Sequence, residues 1–150
     1  MKLPESWLPE NTGAAGGSFE SPDAVPVNQK HPIGMAWEIA HDVKVSGISQ
    51  PAAAQNAALM IKGANPRIRL VREIDNREDP TAIAVIGTWE DSFGIEQHGK
   101  IGYLPRDVAR SVYRKLPAGP LAATIRVISR PRDDRSAGLR ISVWANWGAK

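Results

Sequence analysis

The alternation of apolar and polar residues predicts a series of short strands. Within Arg67–Arg72, arginines alternate with Ile68 and Leu70, which is the period of a strand with one buried face. Comparable signals predict five further strands, at Val43–Ile48, Ala82–Ile86, Lys100–Leu104, Ala122–Arg130 and Leu139–Ala145. The longer stretch 87–99 is expected to form a loop or hairpin, with Trp89 and Phe93 as weak candidates for stacking on a ligand.

Two segments have the pattern of short helices. Pro51–Lys62 is rich in alanine and begins with proline, which suits the first turn of a helix. A second helix is predicted from Pro105 to Leu116, because apolar residues recur there at helical spacing. Arginines stand at every fourth position of this helix and should line one face, at Arg106, Arg110 and Arg114.

Six strands and two short helices predict a mainly β fold, a small and partly open OB-like barrel. We assign it to residues 36–150. Residues 1–35 have no strand or helix period, contain the glycine-rich run 13–18 and are interrupted by five prolines. They are expected to form a flexible N-terminal arm.

The basic residues are concentrated in the last third of the chain. Residues 106–150 carry ten basic and three acidic side chains, whereas the rest of the chain is net negative. Such asymmetry is typical of a site for a polyanion such as a nucleic acid. On charge alone, a solvated arginine-rich surface explains the pattern equally well.

The composition argues against several classes of protein. There is no cysteine, which excludes disulfides, thiolate nucleophiles and Cys-ligated metals. No apolar run is long enough for a membrane helix or a signal peptide, so a cytoplasmic protein is expected. The three histidines, His31, His41 and His98, are scattered, so neither a metal nor another cofactor is expected.

The chain also lacks the usual parts of an enzyme. It has neither a phosphate-binding loop nor a Gly-x-Ser-x-Gly elbow. An acidic group could bind Mg²⁺ as nuclease sites do, and consists of Glu73, Asp75, Glu78 and Asp79. No lysine follows it in the nuclease arrangement, so we expect a protein that is not an enzyme.

Three blocks of sequence together resemble the HIRAN domain. They are Val-Ser-Gly-Ile-Ser (45–49), Leu-Val-Arg-Glu-Ile-Asp-Asn-Arg-Glu-Asp-Pro-Thr-Ala-Ile-Ala-Val (70–85) and Gly-Lys-Ile-Gly-Tyr-Leu-Pro-Arg-Asp-Val-Ala (99–109). The resemblance covers roughly 43–145. It implies an OB-like barrel that binds DNA, as in fork-remodelling helicase-like ATPases, where the domain grips the 3′ end of single-stranded DNA. This chain looks like the stand-alone bacterial type, so a separate protein could supply ATPase or nuclease activity.

The resemblance also implies binding residues. Asn76 and Asp79 match positions that contact the terminal nucleotide. A carboxylate such as Asp79 can accept the proton of a 3′-hydroxyl and would repel a phosphate at the same place. Arg106 matches a phosphate contact, and Tyr103 matches a residue that stacks or donates a hydrogen bond.

The chain departs from the family where the other phosphate and base contacts are expected. Ser49, Gln50 and Pro51 replace a basic residue and aromatics after the first strand, and Gly138 replaces a late aromatic. Trp144 is the best substitute, since the strand pattern places it beside Arg140 and Ser142 on an outward face. A core position, or cover by the N-terminal arm, is the alternative for Trp144.

Two hypotheses follow. The first is a nucleic-acid-binding module for single-stranded DNA and its 3′ end, acting in DNA repair. Its site would consist of Asn76, Asp79, Tyr103, Arg106, Arg110 and Trp144. The second is a protein-interaction or scaffold domain that kept the fold and lost the pocket. They differ in whether Tyr103, Asp79 and Arg106 converge on one open cleft.

Overall fold

The computed structural model describes residues 24–35, 37–130 and 137–145. Its strands are β1 (Ala24–Pro26), β2 (Trp37–Lys44), β3 (Ala64–Arg72), β4 (Ile83–Glu90), β5 (Glu96–Tyr103), β6 (Leu121–Ser129) and β7 (Gly138–Ala145). Its helices are α1 (Pro51–Lys62) and α2 (Arg106–Lys115). Most of the predicted N-terminal arm, 1–23, lies outside the described residues. None of the described helices is long and apolar enough to cross a membrane.

The strands form two antiparallel sheets. One has the order β1-β6-β7-β2 and the other the order β3-β4-β5. The sheets meet where β3 packs against β6. Elsewhere an isolated bridge joins Ser46, after β2, to Tyr103, the last residue of β5. The predicted fold class is confirmed: the protein is mainly β, in a small, partly open OB-like fold. β1 has only three residues, and the other six described strands have eight or nine.

The core lies between the two sheets and under the helices. Its fully buried side chains come from both sheets and both helices, and include Met60, Ile83, Val85, Ile101, Val112, Ile125, Ile128, Ile141 and Val143. In β3 the predicted alternation is confirmed, since Ile68 and Leu70 are buried and Arg67 and Arg69 are exposed. Both predicted helices are present, and α2 differs by one residue at each end.

The prediction for 87–99 is confirmed as a hairpin, but its strands are longer than expected. β4 continues to Glu90 and β5 begins at Glu96, so only 91–95 form the turn. Trp89 is therefore a strand residue with 4% of its surface exposed, and it packs in the core. Because a buried ring cannot stack on a ligand, the weak candidacy of Trp89 was wrong.

The predicted bounds of the first long strand, Val43–Ile48, were also wrong. β2 runs from Trp37 to Lys44, and two shifts of register interrupt its pairing with β7. Asp42 has a positive φ of 54°, which breaks the strand period. After Ser46, Gly47 turns the chain toward α1 at a φ of 80°.

The sequence predicted no strand before residue 36, yet β1 pairs with β6. Gln29 then joins the two sheets through its side-chain amide. Its Nε2 donates to the Pro66 carbonyl of β3 at 2.9 Å, and its Oε1 accepts from the Ile125 N–H of β6 at 2.8 Å. A polar side chain satisfied on both sides fixes this segment at the seam between the sheets.

Candidate nucleic-acid interface

An open cavity of about 300 Å³ lies beside the Ser46–Tyr103 bridge. The loop between β3 and β4, the end of β5 and the start of α2 form its walls. Its lining residues are Ser46, Asn76, Glu78, Asp79, Ala82, Tyr103, Leu104, Arg106 and Ala109. Four of the six residues predicted from the sequence therefore converge here: Asn76, Asp79, Tyr103 and Arg106.

Asn76 both shapes the loop and faces the cavity. Its Oδ1 accepts hydrogen bonds of 3.0 Å from the backbone N–H groups of Glu78 and Asp79. Its Nδ2 donates to Glu73 Oε1 at 3.1 Å. An asparagine commonly makes turns in this way. The turn also holds the amide in place, and a rigid turn is a suitable mount for a ligand-binding group.

Asp79 lines the cavity, and its two carboxylate oxygens have different partners. Its Oδ1 accepts from the Thr81 hydroxyl at 2.6 Å and from the Thr81 N–H at 3.0 Å. Its Oδ2 lies 3.7 Å from Arg106 Nε. The bonds from Thr81, followed by the positive charges of Arg110 and Arg106, lower the pKa of Asp79. The group is therefore an anion at neutral pH, with Oδ2 available to a donor on a ligand.

Tyr103 is held by an ion pair that the sequence analysis did not identify. The Tyr103 hydroxyl donates to Glu73 Oε1 at 3.0 Å, and Lys100 Nζ donates to the same hydroxyl and to Glu73 Oε2, each at 2.8 Å. Lys100 Nζ also lies 4.8 Å from the centre of the Tyr103 ring. The sequence does not indicate this contact. Lys100 and Tyr103 are three residues apart, and on a regular strand two such side chains point to opposite faces.

This network keeps Glu73 and Lys100 charged. Burial opposes ionisation of Glu73, but the hydrogen bonds from Lys100, Asn76 and Tyr103 outweigh it, so the pKa of Glu73 is lowered. The hydrogen bonds to Glu73 and Tyr103 raise the pKa of Lys100. Glu73 thus anchors both Asn76 and Tyr103 from behind the cavity wall.

Arg106 adds positive charge at the mouth of the cavity. It is the first residue of α2, and Pro105 precedes it without a side-chain cap. The first backbone bond of the helix runs from the Ala109 N–H to the Pro105 carbonyl. The N–H groups of Arg106, Asp107 and Val108 precede this first bond of the helix. The N-terminus of a helix attracts phosphate because its first N–H groups point toward the ligand.

The other two predicted residues do not line the cavity. Arg110 lies one turn further along α2, in a neighbouring groove. Trp144 is half-buried on β7, where its Nε1 donates to Thr124 Oγ1 at 2.8 Å and its ring stacks on His31 at 4.4 Å between centroids. The outward face expected for Trp144 and Ser142 was wrong for Ser142, which is 1% exposed. β7 lies inside its sheet, between β6 and β2, and Arg140 is the exposed residue of this strand.

The residues that depart from the family pattern after the first strand lie at the start of α1. Ser49 and Gln50 are exposed, and Pro51 begins the helix. These three residues therefore offer a DNA strand neither a positive charge nor an aromatic ring. Of the acidic group considered as a Mg²⁺ site, Glu73 is paired with Lys100 and Asp79 with Arg106. Within the described residues, no three histidine or carboxylate side chains are grouped as metal ligands.

Comparison with known families agrees with this geometry. The family model for the HIRAN domain matches residues 59–147, from within α1 to just beyond β7. The chain belongs to the HIRAN domain family. HIRAN domains are DNA-binding modules, so membership supports nucleic-acid binding. No curated protein and no solved structure gives a significant match to the chain.

The matched region of this HIRAN domain contains the loop with Asn76 and Asp79, the end of β5 and the whole of α2. β2 and the segment with Ser49, Gln50 and Pro51 precede it. The family resemblance is therefore carried by the part of the chain that builds most of the cavity.

Proposed function

We propose that this HIRAN domain is a non-catalytic module that binds single-stranded DNA and holds its 3′-terminal nucleotide in the cavity. The observation that carries the proposal is the convergence of Asn76, Asp79, Tyr103 and Arg106 on one open cavity. A scaffold domain that had lost its pocket would have no reason to keep these groups together and accessible.

Asp79 supplies the selectivity for an end. Its Oδ1 is saturated by Thr81, which leaves Oδ2 to accept a hydrogen bond from a 3′-hydroxyl. In a continuing strand a phosphate would stand at that position and meet the same negative charge. Arg106 lies 3.7 Å from Oδ2, close enough to hold the phosphate on the 5′ side of the terminal sugar.

Tyr103 and Asn76 complete the pocket. The ring of Tyr103 forms part of its wall and can pack on the terminal sugar or base, while its hydroxyl is tied to Glu73. Asn76 has a second amide N–H that can donate to the nucleotide. Any chemistry on the bound DNA would come from a separate partner with ATPase or nuclease activity.

The proposal is tested by fluorescence anisotropy with short labelled single-stranded DNA that ends in a 3′-hydroxyl or a 3′-phosphate. We expect binding that weakens with salt, because neutralised phosphates release counterions. We expect the hydroxyl end to bind about tenfold more tightly, which is the scale of one charge-assisted hydrogen bond. Asp79→Asn should remove most of that preference.

Asp75→Asn is the matched control, since Asp75 is an exposed carboxylate in the same loop. It should keep the preference for the hydroxyl end. Equal binding of both ends by the wild type would leave a general single-strand binder and remove the role of Asp79. If the folded protein binds neither end, the proposal fails.

The tip of the β4–β5 hairpin favours a second candidate, a protein-interaction role. Asp91 Oδ1 accepts from the N–H groups of Phe93 and Ile95, which fixes the turn. Phe93 is nonetheless 85% exposed. A rigid turn with an exposed ring is suited to insertion into an apolar pocket of a partner. Phe93→Ser should abolish such binding and leave DNA affinity unchanged.

A further inference from the structure

A second open groove of about 430 Å³ lies next to the cavity, on the outer face of α2. It is lined by Thr81, Arg110, Tyr113 and Arg114. The Thr81 hydroxyl donates to Asp79, which lines the cavity, so a residue of the groove is in direct contact with a residue of the cavity. Two arginines beside a tyrosine are the side chains that hold single strands, by neutralising phosphate and stacking on bases.

We infer that this groove is a second nucleotide subsite, an inference that rests on the proposed function. DNA whose 3′ nucleotide occupies the cavity would continue past Thr81 and along α2. Its phosphates would lie against Arg110 and Arg114, and one base would stack on Tyr113. This subsite supplies the aromatic surface that Ser49, Gln50 and Pro51 do not provide.

The geometry of α2 makes the path continuous. Arg106, Arg110 and Arg114 are four residues apart, so each step rises about 6 Å along the helix axis. That step is comparable to the separation of neighbouring phosphates along one strand. At 100° per residue, these arginines and Tyr113 span about 100° of the helix circumference. Asp107 borders this arc and reduces its positive charge without cancelling it.

The groove side chains are free to bind a ligand. No hydrogen bond or ion pair joins the guanidinium of Arg110 or Arg114 to another residue in the described ranges. By contrast, Arg67 pairs with Glu96, and Arg72 donates to the Leu116 carbonyl. Tyr113 is 45% exposed. Arg110 acts on Asp79 only through its charge, so both guanidinium groups and the Tyr113 ring are available to phosphates and a base.

The test compares two DNA lengths, a single nucleotide with a 5′-phosphate and a 3′-hydroxyl that fills only the cavity, and a ten-nucleotide strand that reaches the groove. Tyr113→Ala should weaken binding of the longer strand about tenfold, within the range for one stacked base. It should leave binding of the single nucleotide unchanged. Tyr113→Phe should retain the affinity, because the ring is kept.

Arg114→Gln should lower the salt dependence of binding to the longer strand by about one phosphate contact. Lys115→Gln is its control, because Lys115 lies on the opposite face of the helix from Arg106 and is exposed. Circular dichroism and thermal melting of each variant establish that it is folded.

The outcomes separate the two proposals. If the wild type binds both lengths and Tyr113→Ala and Arg114→Gln bind the longer strand as tightly as wild type, the groove is not a subsite and the cavity stands. If the folded wild type binds neither length, the proposed function and the subsite both fail. A loss confined to the longer strand supports both.

Discussion

Ser46 and Tyr103 exchange two backbone hydrogen bonds of 2.9 Å, and Ser46 Oγ donates a third to the Tyr103 carbonyl at 3.2 Å. This contact joins the chain after β2 to the end of β5 and so links the two sheets beside the cavity. It fixes the backbone from which the Tyr103 ring projects. The position of a binding residue therefore depends on a contact between segments 57 residues apart.

Gly102 is required for this close approach, and Gly102→Ala should destabilise the protein. A Cβ at this position would lie 2.3 Å from the Ser46 carbonyl oxygen and 2.7 Å from Val45 Cγ1. The backbone would have to move, at a cost of about 1–3 kcal/mol in the free energy of unfolding. The melting temperature should fall by roughly 2–4 °C per kcal/mol. Ser49→Ala, at an exposed position, serves as control, and an unchanged midpoint for Gly102→Ala would contradict the argument.

Glu73→Gln should destabilise the protein by about 1 kcal/mol at neutral pH, because the network around Lys100 and Tyr103 loses its anion. The folded-state pKa of Glu73 is lowered from its ordinary 4.5, so its stabilisation is complete above that value. It disappears as the pH falls through the folded-state pKa. The difference between wild type and variant, measured by urea unfolding, should therefore shrink below pH 4.5.

At alkaline pH the stability contributed by the same network should fall, and not rise, as the pH increases. The pKa of Lys100 is raised from 10.5, so its contribution is present below that value and is lost as the pH rises through the folded-state pKa. For Glu73→Gln the matched control is Glu78→Gln, because Glu78 is an exposed glutamate in the same loop. A wild-type advantage over Glu73→Gln that did not change with pH would show that shape, and not charge, accounts for the effect.

The candidate site was predicted from the resemblance to the HIRAN domain, and the segments that carry this resemblance are short and regular. Asn76 and Asp79 occupy a loop whose turn chemistry is local, and Arg106 follows the proline that starts α2. The alternation in β3 and the apolar spacing in α2 reflect burial on one face, which the sequence records directly. Such features need no knowledge of distant contacts.

Several features that the sequence did not predict involve contacts between distant segments. β1 is three residues long and is defined by pairing with β6, about 100 positions away. Trp144 has the strand period of an outward residue, but His31 covers its ring. The pair of Glu73 and Lys100 forms only after β3 and β5 are brought together across β4. Tertiary pairing of this kind leaves no local pattern.

Trp144→Phe tests whether this residue supports the fold or binds DNA. Phenylalanine keeps a ring for His31 and loses the hydrogen bond from Nε1 to Thr124, at a cost of about 1 kcal/mol. We expect that loss in urea unfolding, with affinity for single-stranded DNA within twofold of wild type. Combined with Thr124→Ala, the loss should be less than additive, since both changes remove one bond. A tenfold loss of affinity in the folded variant would return Trp144 to the DNA interface.

Arg106→Gln should weaken binding of single-stranded DNA to a similar extent for every sequence, because the arginine contacts phosphate and not a base. The plot of log affinity against log salt should become shallower by about one contact. Stability should change little, since the Arg106 side chain is two-thirds exposed and lies 3.7 Å from its partner Asp79. Arg69→Gln, an exposed arginine of β3 that lines neither the cavity nor the groove, removes the same charge elsewhere. If both variants reduce the slope equally, Arg106 contributes only to the general field of the protein, and the phosphate contact in the cavity must be assigned to another group.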